Sequence, residues 1–230
     1  SGGIDSSIIV GIMARQMSKP VKTFSIGFKE QAILDETRYA ECVAELNGTD
    51  HQTIQLNYSN VLDAIPLALD GMGEPFADYS FLPTWLLSKE TRKYVTVALS
   101  GDGSDELFAG YSKYQGEIYQ KYYHSIPPFI RKILVNPIIN VLPAGRTNII
   151  EEFGRQSKRF LDGISSDMIS RHIGWMSIVK GDILNSLLQI KQTSDYVTNS
   201  IHSLYADSNQ KWGNDKINSM LYTDVMYGLP

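Results

Sequence analysis

The sequence has one cysteine, Cys42, so no intrachain disulfide can form, and the chain reads as one kept in a reducing compartment, the cytoplasm. A lone cysteine within a helical pattern is more often packing than nucleophile. Histidines number four and form no Cys/His cluster, which argues against a zinc site. Positive charge is also scarce. Lys and Arg total 21 against 25 Asp and Glu, a net charge of −4, and they are dispersed, so nothing here would hold a nucleic acid. No apolar run approaches the roughly 18 residues of a membrane span, so no membrane partner is expected. No repeat of fixed period and no low-complexity segment is present. What remains, 43% apolar and 20% charged, suits a folded globular chain rather than a disordered one. Its 230 residues are enough for one large domain, or for a core domain with a helical appendage.

Glycine is placed with purpose at the start, in Ser1-Gly2-Gly3-Ile4-Asp5-Ser6-Ser7. Two residues without a Cβ can take φ > 0 and let backbone N–H groups come close to an anion. The apolar run from Ile8 to Met13 reads as a helix, whose N-terminus is a ready phosphate site. Asp5 would repel phosphate unless a divalent cation stood between them, and Mg²⁺ is held by one or two carboxylates plus phosphate oxygens. The same seven residues are equally an ordinary turn and helix cap. The motif is not a Walker loop, because no Gly-Lys-Ser/Thr follows.

Along the chain, strand and helix signals alternate. A helix is expected over 6–17, a strand over 21–28 and a helix from Asp35-Glu36 to Leu46, with Tyr39, Ala40, Val43, Ala44 and Leu46 on one face and Asn47-Gly48 as its stop. A strand over 51–56, a helix capped by Ser59 or Asn60, a loop over 70–81 and a helix over 83–93 follow. Residues 94–100 form a nearly continuous apolar run, as expected of a strand covered on both faces. This pattern predicts an α/β fold, a parallel sheet with helices on both faces, whose ligands bind beyond the carboxyl ends of the strands. After Tyr111 helical periodicity takes over, with helices near 113–123, 127–141, 148–161, 165–178, 180–191, 194–207 and 214–226. Pro127, Pro128, Pro137 and Pro143 break up the second of these. Tyr119, Tyr122, Tyr123 and Trp175 are expected in a core. The division expected is 1–111 as the α/β core and 112–230 as a helical subdomain.

A second glycine-rich loop, Ser100-Gly101-Asp102-Gly103-Ser104-Asp105-Glu106, follows the apolar run. Three carboxylates within five positions repel one another unless a cation sits among them, although Asp and Glu are also favoured in a helix's first turn. With the first loop expected on the same sheet edge, metal binding is the favoured reading.

Together these residues resemble a known family. Ser1 through Ser7 is similar to the pyrophosphate-binding loop of ATP pyrophosphatases, with an adenine nucleotide α-hydrolase-like fold. Ser100 through Tyr111 resembles the second signature of the synthetase domain of glutamine-hydrolysing asparagine synthetases. Phe24 to Phe28, Asp35-Glu36 before Tyr39-Ala40, and Glu74 to Asp78 before Pro83-Thr84 match between them. The resemblance implies that Ser1, Gly2, Gly3, Ser6 and Ser7 hold the β- and γ-phosphates of ATP and that Asp5 and Asp105 bind Mg²⁺. It places the backbone of Ile26 at the adenine, Ser100 and Gly101 beside the nucleotide, and Asp102 at the catalytic, substrate end of the site.

The implied reaction is adenylation of a small carboxylate, aspartate in the family, with release of pyrophosphate and then opening of the acyl-adenylate by ammonia. Relatives draw that ammonia from an N-terminal glutaminase domain, which residues 1–230 do not contain, and the resemblance allows a homodimer. Relatives also carry a strand before the first loop and, past a Leu-Pro like Leu229-Pro230, a lysine and an Asp-Arg pair. The chain therefore reads as a piece of a longer protein and is expected to be inactive by itself. Related enzymes close rings or amidate other carboxylates at such a site, and a non-catalytic nucleotide-binding module is the reading from a different class.

Overall fold

The computed structural model describes residues 2–28, 35–73, 80–145, 148–179, 183, 186, 187 and 195–228. It divides into two compact units, Ser1–Asp102 and Gly103–Pro230.

The first unit is built on a βαβ element. Strand β1 (Lys22–Phe28) runs parallel to β2 (Asp50–Leu56), with Lys22 opposite Asp50 and Phe28 opposite Leu56. Between them lies α2 (Thr37–Asn47), which ends at Gly48 in the left-handed region, φ 60°, a conformation cheap only for residues such as glycine. The strands alternate as period two requires. One face carries Ile26, Phe28, Ile54 and Leu56, which pack with Ala64, Leu82, Trp85 and Leu86 from α3 (Tyr58–Asp70) and α4 (Phe81–Thr91). The other face is polar. The Nδ1 of His51 meets Thr23 Oγ1 at 2.8 Å and its Nε2 meets Ser25 Oγ at 3.1 Å, while Thr53 Oγ1 donates to Glu41 of α2 at 3.4 Å. Burial holds His51 below its ordinary pKa, against the pull of Glu41. Helices thus lie on both faces of a small parallel sheet, an α/β arrangement. Helix α1 (Ile4–Gln16) packs along α2.

Three expectations change here. Residues 94–100 join no ladder, and the sheet has two strands among the described residues. Val97 and Leu99 are exposed, and the stretch leaves α4 through turns, with Val95 N–H donating to Thr91 and the Arg92 guanidinium donating to the Thr96 carbonyl at 3.0 Å. An apolar run is suited to burial, but a strand forms only where a neighbour offers a free edge in register. The cap of α3 is Asn57, whose Oδ1 accepts from Asn60 N–H at 2.8 Å, rather than Ser59 or Asn60. On α2, Ala40 and Ala44 are buried while Tyr39 and Leu46 are exposed.

The second unit is helical: α5 (Ser104–Phe108), α6 (Ser112–Ser125), α7 (Pro128–Ile130), a π turn (Arg131–Val135), α8 (Asn136–Val141), α9 (Ile149–Gly163), α10 (Met168–Met176), α11 (Asp195–Trp212) and α12 (Lys216–Gly228). The widened π turn ends just before Pro137, whose ring needs room where a normal turn would place a carbonyl. The helix expected over 180–191 falls almost entirely outside the described residues. Tyr114, Trp175, Ile201, Tyr205 and Met220 form the apolar core. Trp175 sits against Gly163, where a Cβ would overlap its indole. Tyr119 and Tyr122 are exposed, against expectation, because α6 turns Tyr114, Gly116, Glu117 and Gln120 inward instead. Among the described residues no helix is long and apolar enough to cross a membrane.

Candidate nucleotide site

Helix α1 starts one residue after the Gly2-Gly3 pair. Gly3 is its N-cap at φ −67° and ψ 156°, ordinary extended backbone, with no side-chain cap. The freedom to take φ > 0 is therefore not used at Gly3. Glycine matters nearby for proximity: a Cβ on Gly2 would overlap Tyr39 Cβ of α2. Ser6 and Ser7 both turn their hydroxyls to the Gly3 carbonyl, at 3.3 and 2.6 Å, which gathers two hydroxyl groups at the helix start. Asp5 lies in the same first turn.

The second glycine loop reaches this point. A Cβ on Gly101 would lie 2.8 Å from Ser6 N, 2.9 Å from Asp5 Cβ and 3.2 Å from Asp5 C. Only a residue without a side chain lets the chain after residue 100 rest on the first turn of α1. Ser100 donates its hydroxyl to Asp102 Oδ2 at 2.7 Å, so the loop holds the Asp102 carboxylate to itself. Gly2, Gly3, Asp5, Ser6, Ser7, Ser100, Gly101 and Asp102 are thus gathered within the first unit. Ile26 lies in β1, opposite Ile54, with its side chain in the apolar cluster. Ser1 and the Glu74–Asp78 motif lie outside the described residues.

Asp105 belongs to the second unit, on the five-residue helix α5. Left-handed residues bound that helix, Gly103 at φ 89° and Ala109 at φ 59°. Gly110 N–H donates to the Asp105 carbonyl at 3.0 Å, and Tyr111 hydroxyl donates to Glu106 Oε1 at 2.8 Å. Burial, with Glu106 next in effect, raises the Tyr111 pKa, so the hydroxyl keeps its proton.

Comparison with known proteins shows the family of the chain. The family model for asparagine synthase matches residues 1–230. The chain belongs to the asparagine synthase family. It is 31% identical over 98% of its length to asparagine synthetase [glutamine-hydrolyzing] 1 of Bacillus subtilis, of which it covers 33%. It is 38% identical over 58% of its length to putative asparagine synthetase [glutamine-hydrolyzing] 2 of Methanocaldococcus jannaschii, of which it covers 26%. Amidase chyE of Penicillium rubens is 28% identical over 55% of this chain, with 21% of that protein covered. The chain spans about a third or less of the curated relatives it matches.

This member of the asparagine synthase family has a polar centre in its second unit that no local sequence signal announces. Asp224 of α12, 3% exposed, accepts from Tyr114 hydroxyl at 2.6 Å, from His172 Nε2 at 3.0 Å and from Lys113 Nζ at 2.8 Å. An ionised carboxylate only accepts, so Nε2 carries a proton, and Nδ1 lies 2.8 Å from the Tyr205 hydroxyl. Burial pushes the Asp224 pKa up, but the bonds and charges of His172 and Lys113 outweigh it and hold it below its ordinary 3.8. A depressed carboxylate stabilises the fold above its unfolded pKa and ceases to as pH falls through the lower, folded one. The melting-temperature gap between the wild type and Asp224→Asn is therefore expected to be full above about pH 5 and to close below 3.8. A gap constant from pH 6 to pH 2 in thermal scans would contradict this.

Proposed function

We propose that the chain is the nucleotide-using part of a carbon–nitrogen ligase that activates a carboxylate with ATP and transfers ammonia to it, with aspartate as the acceptor and asparagine as the product. The observation that carries this reading is the contact of Gly101 with Asp5 and Ser6. Two glycine loops, some hundred residues apart in sequence, meet at the start of a thirteen-residue helix, where dipole and N–H groups favour a phosphate. The Bacillus subtilis relative supports it across nearly the whole chain.

In this reading the Gly2–Ser7 turn, with Ser1 before it, holds the β- and γ-phosphates through backbone N–H groups and the Ser6 and Ser7 hydroxyls. The Ile26 backbone faces the adenine, Ser100 and Gly101 lie along the α-phosphate, and Asp102 faces the substrate. A carboxylate oxygen of the substrate attacks the α-phosphorus. The bond from that phosphorus to the bridging oxygen breaks, and pyrophosphate leaves with its electron pair. The ammonia lone pair then attacks the acyl carbon, the bond to AMP breaks, and the spare proton goes to solvent. Asp5 and Asp105 are donors of the kind Mg²⁺ takes, one or two carboxylates beside phosphate oxygens. Among the described residues no group of three or more His, Cys, Asp and Glu could hold a metal, so such a cation would complete its shell with phosphate and water. When bound, Mg²⁺ supplies neutralisation of the charge on the departing pyrophosphate. We assign residues 1–111 to this core function and the ammonia supply to a glutaminase domain outside residues 1–230.

The test is product identity. Full-length protein given ATP, ammonium and aspartate is expected to form AMP and asparagine one for one. Formation of ADP would overturn the adenylate route. AMP formed only with a different carboxylate would support the second reading, a related ligase with another acceptor.

A further inference from the structure

The segment after α5 folds back on Asp105. Ala109, at φ 59°, is the single non-glycine residue with positive φ among the described residues, and it turns the chain so that Gly110 comes beneath the Asp105 side chain. There the Gly110 N–H is bonded to the Asp105 carbonyl at 3.0 Å. A Cβ built on Gly110 overlaps Asp105 Oδ1, lies 2.8 Å from its Cγ and 3.2 Å from its Cα, and meets no nearer atom of any other residue. Gly110 itself does not have positive φ, so alanine could adopt its backbone. What alanine could not do is leave the carboxylate where it is. The Tyr111–Glu106 bond, one residue further on along each side of the turn, ties the same loop a second time.

We propose that Gly110 is a positioning residue: its missing Cβ makes the seat on which the Asp105 carboxylate lies, and so sets the direction in which Asp105 presents its oxygens to a divalent cation. This rests on the reading of Asp105 as a cation ligand. A carboxylate is the mobile end of a side chain, so Gly110→Ala is accommodated by swinging that end aside rather than by unfolding. A displaced ligand weakens a metal site, and loss of an orienting contact typically costs about 10–100-fold in affinity.

The experiment measures Mn²⁺ binding by electron paramagnetic resonance to full-length protein saturated with α,β-methylene-ATP. It compares the wild type, Gly110→Ala, Asp105→Ala and the double variant, with thermal melting of each. Gly110→Ala is expected to fold, to melt a few degrees lower at most, and to bind Mn²⁺ at least about tenfold more weakly. In the Asp105→Ala background, which has no carboxylate to displace, adding Gly110→Ala is expected to shift neither melting nor Mn²⁺ affinity further. Wild-type Mn²⁺ affinity in Gly110→Ala, alongside a loss in Asp105→Ala, would overturn the inference and leave the ligand reading standing. An equal melting penalty in both backgrounds, or failure of Gly110→Ala to fold, would also overturn it. Wild-type affinity in Asp105→Ala would remove the ligand reading and this inference with it.

Discussion

Replacing Arg171 with alanine is expected to cost the helical unit about 3–5 kcal/mol. The Arg171 and Glu117 side chains are each 2% exposed, and their contact is bidentate, with Nε to Oε2 at 2.9 Å and Nη2 to Oε1 at 2.7 Å. The remaining guanidinium nitrogen donates to the Ser165 and Ser166 carbonyls at 2.8 and 2.9 Å. Alanine would leave a buried carboxylate whose other near partners are Gln120 at 3.4 Å and Lys216 at 3.8 Å, together with two carbonyls short of a donor. Removing one partner of a buried pair costs more than the pair is worth as a whole, because the surviving charge stays desolvated. The paired change Arg171→Met with Glu117→Leu is therefore expected to cost much less than Arg171→Ala alone. Against a total of about 5–15 kcal/mol, the single loss is large. Urea unfolding followed by tryptophan fluorescence, with Trp85 and Trp212 replaced by Phe so that Trp175 reports alone, reads it, since that ring sits in the core of the same unit. A change below about 1 kcal/mol would contradict the account of this pair.

Gly101→Val is expected to lower kcat/KM for ATP in the full-length protein by about 100-fold or more. The added Cβ meets backbone, Ser6 N and Asp5 C, as well as Asp5 Cβ, and none of these can swing aside as a side-chain end would. Either the first turn of α1 or the Ser100–Asp102 loop must move, and a shift of about 1 Å at a positioning element can cost about 100-fold. Gly11→Ala in the same helix is the control, because a Cβ there meets only Asn47 Oδ1 at 3.4 Å. Unchanged ATP kinetics in Gly101→Val would separate the two loops functionally.

The parts of this fold that could be read in advance are those whose causes are local. The β1–α2–β2 element follows from period-two alternation, helical spacing and the stop at Asn47-Gly48, all contained in short windows. Both glycine loops are visible as residue types, and Gly101 does contact Asp5 and Ser6, although the strand expected to carry the second loop to the sheet does not form. Residues 94–100 form no strand despite their apolar content, because that content reports fitness for burial, whereas pairing depends on a distant edge. Positive φ is not used at Gly2, where the missing Cβ instead makes room for Tyr39. The centres at Asp224 and Glu117 were illegible for a related reason. Tyr114 and His172, which bond Asp224, and Arg171, which bonds Glu117, lie 52 to 110 residues from them on other helices, and a charged residue in a helical pattern looks like a solvated face until its neighbours are known.

The most direct test of the central claim, that the two joined glycine loops serve carboxylate adenylation, is isotope exchange. Full-length protein is incubated with ATP, labelled pyrophosphate and aspartate, without ammonium. The account predicts label entering ATP only when the carboxylate is present, and loss of that exchange in Gly101→Val. Label entering ATP without any carboxylate, or wild-type exchange in Gly101→Val, would contradict it.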